Sequence, residues 1–172
     1  MFNAFAWLMK KFVKIIVSII LSIIITVYVA WSAFNYYWYS DLIPAKIGIT
    51  YAIHIGEESS FLKGCGAAIF RLSDATVDDI SRKGIDFFND AIYSRKSKAR
   101  RYTYSSWKET PVPNSWTSEG TWLGLSCSGA SHSLLSQILL AASKKGSYYS
   151  SKDEARILVI PSFKLVVFSY FG

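Results

Sequence analysis

Residues 12–34 read FVKIIVSIILSIIITVYVAWSAF, an apolar run with a single charge, Lys14, near its start. As an α-helix the run rises about 34 Å, against a hydrocarbon layer of about 30 Å. Backbone polar groups in lipid must be satisfied within the segment, and a helix does this. The run therefore predicts a transmembrane signal-anchor after a short tail over residues 1–11. Trp31, Tyr36, Tyr37, Trp38 and Tyr39 come at its far end. Amphipathic rings collect at headgroup depth, so these residues read as a membrane interface, with 35–46 as interface belt and linker. The competing expectation is a cleaved signal peptide, since Ala30 and Ser32 place small residues around Trp31. A signal-peptide core of about 7–15 residues is shorter than this run, which favours an uncleaved anchor.

Lys10, Lys11 and Lys14 precede or enter the run, only Lys46 lies close behind it, and no acid occurs before Asp41. Positive charge stays on the cytoplasmic side, which orients the N-terminus inward and residues 47–172 outward. The expected location is the bacterial inner membrane, with an extracytoplasmic domain facing a periplasm. From Asp41 onward 16 Lys/Arg face 12 Asp/Glu, a mild excess that suits an anionic surface without requiring one. Aromatics make up 16% of the chain and are spread along it, which argues for a packed domain over a disordered tail.

Residues 47–56 alternate apolar and small or polar side chains, the pattern of a half-buried strand with Tyr51 and Ile53 facing a core. A polar turn leads to a second strand over 64–72. Thr76 reads as the cap of a helix, and Ser133 opens another, ended by Lys144, Lys145 and Gly146. Strands are also expected over 102–108, 121–126, 156–160 and 163–171, the last two parted by Pro161. The order is roughly ββαββαββ. It predicts an α+β domain with a mainly antiparallel sheet and two helices on one face.

Cys65 and Cys127 are the only cysteines, and in an exported domain they predict one disulfide. The stretch 124–133 holds Ser126, Cys127 and His132 among small residues. With His54 they are the candidates for nucleophile and base in a small membrane-anchored hydrolase. The spacing Gly124, Ser126, Gly129 departs from a nucleophile elbow, and a capped loop explains the segment equally well. Two histidines and two cysteines without paired spacing do not predict a zinc site, and no cofactor is expected. The Ser60–Lys63 match to Ser-x-x-Lys has no companion motifs. Glu109 and Glu119 flank a Pro-rich loop without forming a defined acid pair.

Arg95, Lys96, Lys98, Arg100 and Arg101, followed by Tyr102, Tyr104 and Trp107, form the most distinctive surface expectation. On an exported domain this basic, aromatic stretch would meet lipid headgroups, an anionic polymer or an acidic protein. On a cytoplasmic domain it would suit nucleic acid. The leading expectation is a non-enzymatic, membrane-anchored binding or accessory protein. It would act on a protein partner in the envelope, as a complex subunit or as an inhibitor or immunity-type module near membrane lipid. The hydrolase and the cytoplasm-facing nucleic-acid binder are the alternatives.

Overall fold

The computed structural model of the 172-residue chain describes residues 2–59, 64–97, 103–117, 122 and 124–172. The chain forms two units, Met1–Tyr37 and Trp38–Gly172. The first is made of helix α1, Phe2–Ser40, whose last three residues belong to the second unit. Residues Met9–Ser40 are long and apolar enough to cross a membrane, and none of the most apolar stretch is buried by the protein. The Thr26 hydroxyl donates to the Ser22 carbonyl at 2.8 Å, so even this polar group is satisfied within the helix.

The second unit is an α+β fold, as expected, with a six-stranded antiparallel sheet and two further helices. Its strands are β1 (Ile49–Ser59), β2 (Gly64–Leu72), β3 (Lys108–Glu109), β4 (Tyr148–Lys152), β5 (Ala155–Ile160) and β6 (Leu165–Phe171). The sheet order is β1-β2-β6-β5-β4-β3. Helix α2 spans Asp74–Lys83 and α3 spans His132–Ser143.

β5 (ARILVI) and β6 (LVVFSYF) are near-continuous apolar runs with both side-chain directions buried. That pattern requires cover on both faces of the sheet. Ala67, Ile69, Leu158, Ile160, Leu165 and Val167 point to one face, where Ile138, Ala141 and Ala142 of α3 complete the core with Trp116, Trp122 and Leu125. The alternate residues point the other way. There Phe88, in the helical turn Gly84–Asp90 after α2, stacks on Trp107 at 4.4 Å and meets Tyr148 at 4.9 Å. The helical turn Gly84–Asp90 thus adds cover on the face opposite α3.

The caps follow simple chemistry. Ser131 caps α3, accepting from the Leu134 N–H at 3.4 Å. α2 begins earlier than expected, with Ser73 as its cap, accepting from the Thr76 N–H at 3.3 Å. Thr76 instead accepts the Gly48 N–H at 2.9 Å and ties the start of β1 to the helix. Of the strand expected over 102–108, residues 104–107 carry no strand pairing and only Lys108–Glu109 pairs with β4. The strand expected over 121–126 is replaced by turn at 124–125 and a helical turn at Ser126–Ser128, with 121 and 123 outside the described residues.

The segment 41–46, expected as a linker, is part of the domain. Tyr39, Ile43 and Ile47 are buried. The Arg95 guanidinium donates to the carbonyls of Ser40 at 3.0 Å, Ile43 at 3.4 Å and Ile47. Tyr104 donates its hydroxyl to the Leu42 carbonyl at 2.8 Å. Main-chain bonds Ala45–Tyr93, Arg95–Ile43 and Lys96–Asp41 lay the segment along 93–96. A cation at the last carbonyls of α1 also complements the negative end of its dipole. Hydrogen bonds from a charged donor contribute about 1.5–3 kcal/mol each, so Arg95→Met is expected to lower stability by about 3 kcal/mol. Tyr104→Phe is expected to cost about 1 kcal/mol. Chemical denaturation of the full chain in detergent measures both, and equal stability of Arg95→Met and wild type would contradict the docking.

Candidate functional site

The segment 124–132 is bolted to the sheet. Cys65 on β2 and Cys127 in the helical turn form a disulfide. One bridge end thus lies in a strand and the other on the loop that covers it. A His54 ring nitrogen, Nε2, lies 2.7 Å from the Ser128 carbonyl oxygen. Ser128 Oγ donates to the Leu125 carbonyl at 2.7 Å, and Trp122 Nε1 donates to Ser169 Oγ at 2.8 Å. A Cβ on Gly56 would stand 1.8 Å from the Ser128 oxygen, so the close approach of loop and strand depends on that glycine.

These contacts decide the fate of the nucleophile candidates. Cys127 is bonded to Cys65 and holds no thiolate. His54, a candidate base, is half-buried and engaged with a backbone carbonyl. His132 is the exposed first residue of α3, and Ser126 is exposed at the start of the helical turn. Among the described residues, no hydrogen bond joins the Ser126 hydroxyl to a histidine. The structure therefore brings Cys65, Cys127, His54 and Ser128 together as a clamp.

The basic, aromatic stretch is split. Tyr104 and Trp107, expected as surface residues, are buried, and the Trp107 indole donates to the Ala91 carbonyl at 2.9 Å. Burial holds the Tyr104 phenol well above its usual range. Arg95 is committed to backbone carbonyls, as described above. Lys96 alone of the described cations in the stretch is exposed, its ammonium 4.1 Å from the Trp38 ring centre. Lys98, Arg100, Arg101 and Tyr102 lie outside the described residues.

The expected interface residues also divide. Lys10, Lys11, Lys14, Trp31, Tyr37 and Trp38 are exposed on α1, and Tyr36 is half-buried. Tyr39, expected at the interface, is buried against Phe168 and Tyr170. Its hydroxyl donates to Glu57 Oε2 at 2.5 Å, and the Tyr170 hydroxyl donates to the same oxygen at 2.9 Å. Sequence reasoning missed this trio, because its members are 18 and 113 residues apart and nothing in a chain pattern joins them.

The most open feature is β1 itself. It is an edge strand, paired only with β2 among the described strands. Its register slips between Ile49 and Ala52 and again between Ala52 and His54. Each slip breaks the register, and together they interrupt the strict alternation expected from the sequence. Tyr51 and Ile53, expected to face a core, are 54% and 40% exposed. The opposite edge is short: β3 has two residues, and Ser105 covers the rest of β4 through bonds to Ser150 and Ser151. Comparison with known protein families, with curated proteins and with solved structures finds no match.

The clamp makes two predictions about stability. Gly56→Ala forces Cβ into a backbone oxygen and is expected to destabilise by about 1–3 kcal/mol, the usual range for overpacking. Reducing the bridge, which closes a separation of 62 residues, is expected to cost up to about 4 kcal/mol on loop entropy. A thermal melt unchanged by dithiothreitol would show the clamp to be dispensable.

Proposed function

We propose that the chain is a membrane-anchored binding or accessory protein that presents the β1 edge to an extended segment of a partner protein. The observation that carries this reading is an eleven-residue edge strand that itself carries exposed Tyr51 and Ile53. An unpaired edge offers main-chain donors and acceptors to an incoming strand, and adjacent apolar side chains supply selectivity. The two register shifts and the carboxylates Glu57 and Glu58 restrict that edge. Such devices disfavour indiscriminate pairing and leave room for a matched partner.

The anchor in this reading is α1, which stays in the membrane with Lys10, Lys11 and Lys14 on the cytoplasmic side. The domain then lies outside the cytoplasm, in the bacterial inner-membrane arrangement. The lysine bias supports that orientation. The disulfide supports it independently, because such bonds persist in oxidising compartments. A subunit of an envelope complex and an inhibitor or immunity-type module both fit such an edge on a membrane-anchored chain. The clamp around Cys127 counts against the hydrolase alternative.

A photo-crosslinking residue at Tyr51 or Ile53 is expected to give discrete protein adducts in cells, and the same residue at exposed Leu140 on α3 is expected to give none. Equal labelling from all three positions would remove β1 as the contact. A phosphatase fused after Gly172 is expected to be active only if exported, and an inactive, well-expressed fusion would reverse the topology.

A further inference from the structure

We propose that the Arg156 guanidinium, set against Trp116, is a binding site for a carboxylate ligand. The inference is independent of β1 as a partner edge and of the membrane anchor, because every residue it uses lies in the second unit.

Arg156 lies in β5, paired across the sheet with Ser151 on β4 and Ser169 on β6. It alternates with Leu158 and Ile160, which belong to the core beneath α3, so its side chain leaves the sheet on that face. Trp116, in the helical turn Asn114–Trp116, lies over the guanidinium, with its ring centre 5.2 Å from Cζ. The Trp116 ring is buried and held edge-on by Trp122 and Tyr149, both at 5.1 Å. Trp122 is fixed in turn by its bond to Ser169 Oγ, beside Arg156 in the sheet. The strand and an aromatic wall therefore position the guanidinium without using its N–H groups.

Those donors are unmatched. Nη1 is buried, and among the described residues it has no hydrogen-bond partner. Arg95, by contrast, places its fork on three carbonyls. Glu154, the acid nearest to Arg156 on β5's side of the turn, has its carboxylate at the chain's last residue, where a Cβ on Gly172 would stand 1.5 Å from Oε2. Burial lowers the proton affinity of Arg156, and no acid acts against it. A charged donor taken from water without an acceptor is costly, and a ring contact leaves its N–H groups unanswered. The residue is only half-buried, so an anion can reach it from solvent. A carboxylate is planar, and its two oxygens match the guanidinium fork. The flat ring alongside suits a flat group.

The test is fluorine NMR of para-fluorobenzoate with the full chain in a neutral detergent. Wild type is expected to bind this acid and not its neutral counterpart, para-fluorobenzamide. Arg156→Gln is expected to weaken binding about tenfold or more, the usual effect of losing a hydrogen bond to a charged group. Arg156→Lys keeps a cation near Trp116 but removes the fork; it is expected to act in the same direction and serves if the glutamine variant does not fold. Arg82→Gln, whose guanidinium already pairs with Asp79, is expected to leave binding unchanged. Competition by acetyl-Gly-Glu-Gly-amide tells the sources apart. Displacement supports the site as one for an acidic segment of a protein, and its failure supports a small free acid. Equal binding of acid and amide, tighter binding of inorganic phosphate than of the acid, or undiminished binding in both Arg156 variants would overturn the proposal.

Discussion

The Arg95 guanidinium is the interaction on which the second unit most depends. The chain leaves α1 with carbonyls that have no helical partner, and then folds Ile43 and Ile47 into an apolar interior. Burying those apolar side chains drags polar backbone with them, and unsatisfied backbone is expensive. One forked cation answers three of the carbonyls at once. Its planar donors suit that task better than the single ammonium of a lysine. With the segment in place, Tyr39 reaches Phe168 and Tyr170, and Tyr104 finds Leu42. The α3-free face of the sheet is covered by these residues together with Phe88 and Trp107.

The opposite face is organised by a different bond. The disulfide brings the 124–129 region onto β2, and Trp122 and Leu125 enter the core with α3. The two arrangements leave the edges of the sheet unequal. One edge is short and flanked by Ser105; the other is β1, long, shifted in register and acidic toward its end.

Much of the fold was legible because it rests on local pattern. The apolar run predicts α1, the cysteine pair predicts the bridge, and the apolar tail with Pro161 predicts β5 and β6. β2 matches its expected bounds, Gly64–Leu72. What escaped depends on distant residues. Nothing near 41–46 signals that a cation fifty residues on will dock it. Tyr104 and Trp107 follow a basic run and resemble a stacking surface, yet partners from 42 and 91 bury them. β4, YYSSK, is half polar and sits behind a helix-ending glycine, so it carries little strand signal. The alternation in β1 misled because shifts of register reset the side-chain direction, and a shift has no mark in a two-residue period.

The central claim is that the segment after α1 belongs to the domain and is not a tether. Amide hydrogen exchange of the full chain in a lipid bilayer tests it most directly. The Ile43 and Ile47 amides donate to Ser40 and Pro44 at 3.1 and 3.0 Å, in a segment whose side chains are buried. Peptides covering 41–47 are predicted to exchange as slowly as those from β6. Exchange of 41–47 at the rate of an open chain, with β6 still protected, would contradict the account.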